Sequence, residues 1–450
     1  MQEDIIKQEL APEGIVWWSF YDKEARFETF LSKAIQYVSK GEIDPKEIAS
    51  TRDRMDTLYS FLQGNRFLIV LDGVERVLRA YAGLGSPYQG DKVKKDERGD
   101  FRACIDPNVG LFLQWLASSN LKTKTLLTSR LCPKELDDIA GCLRRELTKM
   151  DKVDAVEFFH QQGVKGTRAE IENACEHFGY HPLSLRLLSG LIIKDPKYNK
   201  DIVAWTRHNP LPELKGKKGK EGHNILELAY NSLDPQKQTL ISKISVFRNP
   251  MDYDSILIFN EFKNTKEFDE ALIELVYRGL LLRDAKSNKY DLHPIVRRHC
   301  YDRLMDKSGV HSQLRDYFES VPKPEKIESL DDLAPVIELY HHTVNSERYD
   351  EAWELYRDRL SDSLYYQFGA YQIDIDLLSA LFPDGEDKPR RLKKEADQAW
   401  TLNELANSYS LSGQPKKAIP LFEGYIDISK KRRDKTNEAI GLGNLAQDQI

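Results

Sequence analysis

The sequence predicts an α/β domain followed by an all-α region. Three observations carry that expectation. A short apolar run, Phe67-Leu68-Ile69-Val70-Leu71, ends in Asp72 and is bounded by Gly64-Asn65 and Gly73, as a strand buried on both faces would be. Strand and helix patterns alternate around it, which calls for a parallel sheet with right-handed crossovers. From about residue 148 the apolar spacing turns helical, and a helical pattern at Leu402 restarts at Leu442.

The 450 residues are enough for about two to four domains. With 40% hydrophobic and 31% charged residues, the balance is that of a soluble, helix-rich chain. A formal net charge of −6 argues against nucleic-acid binding through a global positive field. Cys104, Cys132, Cys142, Cys175 and Cys300 show no CxxC spacing. They imply neither a metal site nor a disulfide framework, and a reducing cytoplasm is expected. No apolar run approaches the ~18 residues of a membrane span. Met1 is followed by Gln-Glu-Asp rather than by a basic segment and an apolar core, so no signal peptide is read.

Residues 1–13 read as the tail of a helix. Gly14-Ile15-Val16-Trp17-Trp18-Ser19-Phe20 reads as a strand. Phe27, Phe30, Leu31, Ala34, Ile35 and Val38 recur at helical spacing, and a second helix at about 50–62 leads into the acidic strand. Asp72 then stands at a strand's carboxyl end, where open α/β sheets place their ligand crevices. With Glu75 three residues on, it suits the Mg²⁺ and the attacking water of a nucleotide hydrolase. A core strand that merely ends in Asp fits this segment equally well.

Residues 81–108, rich in Gly, Pro and charge, read as a long loop. Gly85-Ser86-Pro87-Tyr88-Gln89-Gly90-Asp91-Lys92 has two glycines at the separation of a phosphate-binding loop. It is rejected because Lys does not directly follow the second Gly, no Ser or Thr follows it, and loop lies on both sides. A helix is expected at 109–118 and a strand at 124–130, ending in Thr128, Ser129 and Arg130. An arginine at such a sheet edge can reach a nucleotide's terminal phosphate; taken alone it is a surface arginine.

Helices are expected at 153–161 and 168–178. Another starts at Pro182-Leu183, where proline's missing N–H would have been unpaired anyway. The Lys-Gly run at 215–220 reads as a basic linker. Residues 224–306 give helices at 225–233, 236–245 and 268–278, a ribbon of 279–283 with 289–293, and a helix from Pro294. Three helices followed by a small ribbon is the winged-helix pattern. After about 307 come helical hairpins. Leu402, Leu405, Ala406, Tyr409, Gly413, Ala418 and Phe422 fall at the spacings of a tetratricopeptide helix pair. Leu442, Leu445 and Ala446 restart it 40 residues on (442 − 402). That exceeds the usual period of about 34, and the charged turn at 430–434 takes up the excess. A weaker copy is Val336, Leu339, Tyr340, Ala352 and Tyr356. The last helix runs to Ile450 without a partner to cover it, so it looks cut.

Taken in this order, the acidic strand, the Thr128-Ser129-Arg130 strand end, the Gly179-x-x-Pro182-Leu183 helix start, His293 after the ribbon and the repeats resemble a bacterial NB-ARC protein. These are STAND-type signal-transduction NTPases, related to plant resistance proteins and apoptotic protease activators. The resemblance covers about residues 14–450. It implies a partial nucleotide-binding domain at 1–147, a helical domain at 148–222, a winged helix at 223–306, helical linker hairpins at 307–397 and tetratricopeptide repeats at 398–450.

By the same resemblance Asp72 would hold Mg²⁺ through water, and Glu75 would position or deprotonate the attacking water. Thr128, Ser129 and Arg130 match the sensor-1 strand, with Arg130 facing the γ-phosphate. Pro182 and Leu183 match the segment whose proline packs on adenine, with Tyr180-His181 in place of the family's Gly-Leu. His293 matches the histidine that contacts the ADP β-phosphate, with Pro294 where the family has Asp; alone it is a satisfied ribbon histidine. The family's Gly-rich loop ending Gly-Lys-Ser/Thr should stand one helix ahead of the strand at 14–20, and the 13 residues upstream do not hold it. The expectation is a misplaced or truncated start, a sheet without its first strand and with an exposed edge, and weak or absent nucleotide binding.

The function implied is an ADP/ATP-dependent signalling switch, cytoplasmic, closed with ADP and opening to form homo-oligomers on a signal sensed by the repeats. ATPase activity belongs to the family, but this chain lacks the loop that grips the phosphates. Protein partners are expected on the tetratricopeptide helices, and no membrane. One alternative is a tetratricopeptide scaffold with a degenerate nucleotide domain. The other is a winged-helix DNA-binding regulator, ranked last because the helix at 268–274 is acidic and only Lys289, Arg297 and Arg298 lie near it.

Overall fold

A computed structural model describes the chain except for residues 1–10, 22–25, 49, 83–94, 97–98, 119–120, 148, 212–220, 286, 387–390 and 450. The expected helix before residue 11, the phosphate-loop look-alike at 85–92 and the Lys-Gly run at 215–220 therefore lie outside the described residues. The chain divides into two compact units, one made of 1–143 with 318–450 and the other of 144–317.

The first unit is organised on a parallel sheet of β1 (Gly14–Ser19), β2 (Phe67–Asp72) and β3 (Lys124–Leu127), in that spatial order. The acidic strand is central. Gly14 pairs with Phe67 and Ser19 with Asp72, while Leu68 pairs with Lys124 and Leu71 with Leu127. Parallel pairing requires crossovers, and α1 (Phe27–Val38), α2 (Thr51–Gly64) and α3 (Pro107–Ser118) lie between the strands in sequence. Ser50 caps α2 by accepting the Asp53 N–H.

One face of the sheet is dry. Phe67, Ile69 and Leu71 pack with Phe30, Leu31, Leu58, Leu62 and Phe112 in one core, where Phe27, Phe30 and Phe112 make a three-ring cluster. Burying each such side chain contributes roughly 1.5–3 kcal/mol. The other face alternates with it, as the strand period of two requires. There Val70 is buried, but Ile15 is 45%, Trp17 64% and Leu126 49% exposed.

Two expectations for this region change. The strand at 124–130 stops at Leu127, so Thr128, Ser129 and Arg130 follow it rather than belong to it. The stretch at 81–108 is more than loop: a helical turn covers Arg79–Ala82, and Lys95–Asp96 pairs antiparallel with Gly99–Asp100. Main-chain bonds from Arg79 to Ala103 and from Ala80 to Phe101 tie that turn down, a non-local pairing that composition does not announce.

The same unit holds an all-helical core. The helices preceding it lie in the second unit, so they are numbered first. That unit runs α4 (Lys152–Gln161), α5 (Arg168–Glu176), α6 (Pro182–Lys194), α7 (Ile202–His208), α8 (Glu221–Asn231), α9 (Pro235–Ile244), α10 (Tyr253–Leu257) and α11 (Thr265–Tyr277). The ribbon β4 (Leu282–Asp284) and β5 (Lys289–Asp291) and then α12 (Pro294–Asp302) follow. Thr167 and Glu170 form a reciprocal capping box on α5. Helix α10 has no counterpart in the sequence reading: five residues are too few for periodicity to register. Met251 just before it exchanges main-chain bonds with Tyr290, adding a bridge to the ribbon.

In the first unit α14 (Ala334–Asn345), α15 (Tyr349–Arg359), α16 (Tyr371–Ser379), α17 (Glu395–Leu411), α18 (Pro415–Lys431) and α19 (Lys435–Asp448) follow α13 (Lys307–Ser320), within which the division between units falls. Leu402, Leu405, Ala406, Tyr409, Ala418 and Phe422 are all buried, so the spacing read from sequence marks one packed helix pair. Gly413 takes a φ of +79° at the turn between them, a backbone state that glycine adopts without strain. Of α19 only Gly441 is buried, because Tyr425 and Ile426 of α18 close over it.

Candidate functional site

The crest of the sheet is where its three strand ends meet. Ser19 ends β1 opposite Asp72, and Thr128 directly follows β3. The Thr128 hydroxyl donates to Asp72 Oδ1 at 2.6 Å and the Ser19 hydroxyl to Oδ2 at 3.2 Å. Asp72 thus clasps both neighbouring strands. Main-chain bonds reinforce the clasp: Phe20 N–H to Asp72 O at 2.8 Å, Val74 N–H to Thr128 O at 3.0 Å and Thr128 N–H to Leu71 O at 2.9 Å. Asp72 is half-buried. An ionised carboxylate offers about four acceptor sites, so two hydroxyls leave it lone pairs for water or a hydrated cation.

Gly73 turns the chain off the strand with a φ of +74°. Its N–H bonds Thr128 Oγ1 at 3.0 Å. The 3₁₀ turn that follows, Val74–Val77, carries Glu75 inward until only 2% of it is exposed. A carboxylate that dry needs donors, and it has three. Tyr21 donates its hydroxyl to Oε1, Arg130 Nε lies 3.4 Å from Oε1, and the Arg130 N–H bonds Oε2 at 3.2 Å. Burial first, and the Glu75 charge second, push the Tyr21 phenol well above its usual range.

Of the site residues expected from sequence, Asp72, Glu75, Thr128 and Arg130 come together at this crest. Ser129 does not join them: its hydroxyl donates to Leu131 O at 2.6 Å. Arg130 is turned onto Glu75, and a phosphate-facing role requires it to let go. Ser19 and Tyr21 were not anticipated. The usable signal was a hydroxyl closing the strand next to the acidic one, but the register that pairs Ser19 with Asp72 is a property of the folded sheet.

Pro182, Leu183 and His293 belong to the second unit. Pro182 opens α6 and is exposed, whereas Leu183 is buried, so Pro182 is the member of that pair with surface to offer. His293 caps α12: its Nδ1 accepts the Ile295 N–H at 3.3 Å, which leaves the neutral ring's proton on Nε2. Arg297 forms an ion pair with Asp291, and Arg298 lies 3.6 Å from Asp302. Two of the three basic residues near the ribbon are therefore engaged by acids of their own unit.

No family model matches this chain, and no curated protein matches it. Among solved structures it is similar to a signal transduction ATPase with numerous domains (STAND) bearing a tetratricopeptide repeat sensor, from Pyrococcus horikoshii. That match has 12% identity and a TM-score of 0.43, over 100% of this chain and 79% of the other. A Walker-type ATPase of Pyrococcus abyssi matches 64% of this chain and 84% of its own, at 14% identity and a TM-score of 0.25. Neither likeness is close enough to bear on this chain's chemistry. No described helix is long and apolar enough to cross a membrane.

Proposed function

We propose that this chain is the core of a nucleotide-dependent signalling switch of the NB-ARC class, responding to ADP and ATP with Mg²⁺. The observation that carries the reading is Asp72 at the carboxyl end of the central parallel strand, with a threonine from the adjoining strand end bonded to it and an arginine from the same strand end on Glu75. In this reading Asp72 holds Mg²⁺ through its water shell, Arg130 answers the γ-phosphate, Pro182 lies against the adenine, and His293 Nε2 contacts the β-phosphate of ADP. The helical hairpins sense a protein signal, and the active form is a homo-oligomer. No Gly-Lys-Ser or Gly-Lys-Thr occurs in these 450 residues, so the contacts that usually grip the β- and γ-phosphates are not supplied by this chain. Binding is therefore weak and hydrolysis slow.

Calorimetric titration of the full chain with ADP and ATP, with and without Mg²⁺, tests the proposal. Magnesium-dependent binding that weakens roughly tenfold in Asp72→Asn is expected. Absence of any binding would reject it. One observation favours a second reading, a protein-binding scaffold with a relic nucleotide domain: every oxygen of Asp72 and Glu75 already accepts a bond or ion pair from the protein itself. In that case Asp72→Asn lowers stability and changes nothing else. A DNA-binding role has no such observation behind it.

A further inference from the structure

We propose that Tyr21 is a positioning residue that latches Glu75 away from the Asp72 crest, so that the site's second acid is withheld until the tyrosine moves. The inference rests on the nucleotide-site reading for its purpose, but its geometry stands by itself.

Tyr21 lies two residues past the end of β1, and its N–H bonds Ser19 Oγ at 3.3 Å. The same serine holds Asp72, so phenol and crest share an anchor. The ring lies on Gly73: a Cβ there would come within 2.4 Å of Tyr21 Cε2. The Arg76 guanidinium stands 5.7 Å from the ring centroid on the chain segment that carries Glu75. The ring is thus fixed by the turn that separates the two acids, and its hydroxyl donates to Glu75 Oε1. Arg130 supplies the other two contacts, one to each oxygen.

A carboxylate that positions an attacking water must present a lone pair to it at hydrogen-bond distance. Glu75 cannot do so here, because it is almost wholly buried and both oxygens are engaged. Each charge-assisted bond makes the released carboxylate rarer by roughly tenfold or more. Tyr21 and Arg130 are both exposed at the edge of the site, but Tyr21 holds Glu75 by its hydroxyl alone, whereas Arg130 holds it by side chain and by main chain. The Tyr21 contact is the one that is lost completely when a single side chain moves. The latch predicts that removing one oxygen atom, in Tyr21→Phe, frees Glu75 while leaving the ring on Gly73.

Carboxyl labelling of the full chain with a carbodiimide and glycine ethyl ester, read by mass spectrometry, measures that release. In Tyr21→Phe, Glu75 should label roughly tenfold faster than in the unaltered chain, with Asp72 labelling unchanged. Tyr21→Leu, which keeps apolar contact with Gly73, should do the same and serves if the Phe variant folds poorly. Glu75 labelling equal to that of the unaltered chain in both variants would overturn the latch. Repeating the labelling of the unaltered chain with Mg·ATP separates the two proposals. Acceleration ties the latch to nucleotide. A faster Tyr21→Phe together with no response to Mg·ATP keeps the latch and sinks the nucleotide reading.

Discussion

Asp72 and Glu75 are three residues apart, yet one meets solvent and the other is sealed, and the turn at Gly73 makes the difference. Its φ of +74° lies where a side chain is strained, and the Tyr21 ring occupies the space a Cβ would take. Gly73→Ala should therefore destabilise the chain by about 1–3 kcal/mol, with a lower urea midpoint and Glu75 labelled faster. A midpoint equal to the unaltered chain's would show that the turn relaxes freely. His293 caps α12 with its own ring. His293→Ala removes a cap and should cost about 1 kcal/mol. His293→Asn keeps a capping oxygen but no imidazole. If the ring holds ADP, both variants release a bound fluorescent ADP analogue faster; unchanged off-rates in both would count against that role.

Among the contacts that hold helices together here are a close main-chain approach and a buried acid. Gly190 of α6 lies so near the Arg278 main chain that a Cβ would stand 2.6 Å from its carbonyl oxygen. Gly190→Ala should lower the melting temperature, by an amount equivalent to about 1–3 kcal/mol, because backbone cannot yield as a side chain does. Asp374 joins three helices: on α16, it accepts the Tyr356 hydroxyl of α15 and the Ser408 hydroxyl of α17, both at 2.8 Å. Burial pushes its carboxyl up to about 6. Burial and the Asp374 charge push Glu404 up to about 7.

The sign of the pH effect follows from those directions. Both acids hold their proton more tightly folded than unfolded, so their contribution to stability is full below about pH 4 and is lost as pH rises from there through 7. The slope is at most about 1.4 kcal/mol per pH unit for each group. Asp374→Asn should flatten it and raise the melting temperature at pH 8; an unaltered slope would mean the pair does not titrate in that window. The sheet's second face gives an element-scale prediction of its own. Trp17, Ile15 and Leu126 form an exposed apolar strip across the outer strands. Trp17→Lys should reduce self-association at high concentration, as sedimentation velocity would report, without unfolding the chain.

For the whole molecule, the elements with long repeating patterns were the ones legible in sequence. The run at 67–72, the stripe from Phe27 to Val38 and the pair around Leu402 and Phe422 each carry enough periodic positions for burial to be inferred. Apart from the ribbon of β4 and β5, short pieces were not legible. The ribbon at Lys95–Asp96, the five-residue α10 and the π-type turn at Ser363–Gln367 take their shape from neighbours rather than from a period. At the candidate site the same division holds. Asp72 could be found because it ends an apolar run. Tyr21 and Ser19 could not, because their partners are 54 and 53 residues away along the chain and are met only across the sheet.

The sequence alone determined that a buried strand ends in an acid and that a parallel sheet gives way to helices. Those are local consequences of apolar spacing and of the conformational limits of glycine and proline. The tertiary structure decided which oxygens those acids offer. Hydrogen bonding depends on register and on ångström-scale distances, and these placed Asp72 under two hydroxyls with lone pairs to spare and sealed Glu75 under a phenol and an arginine.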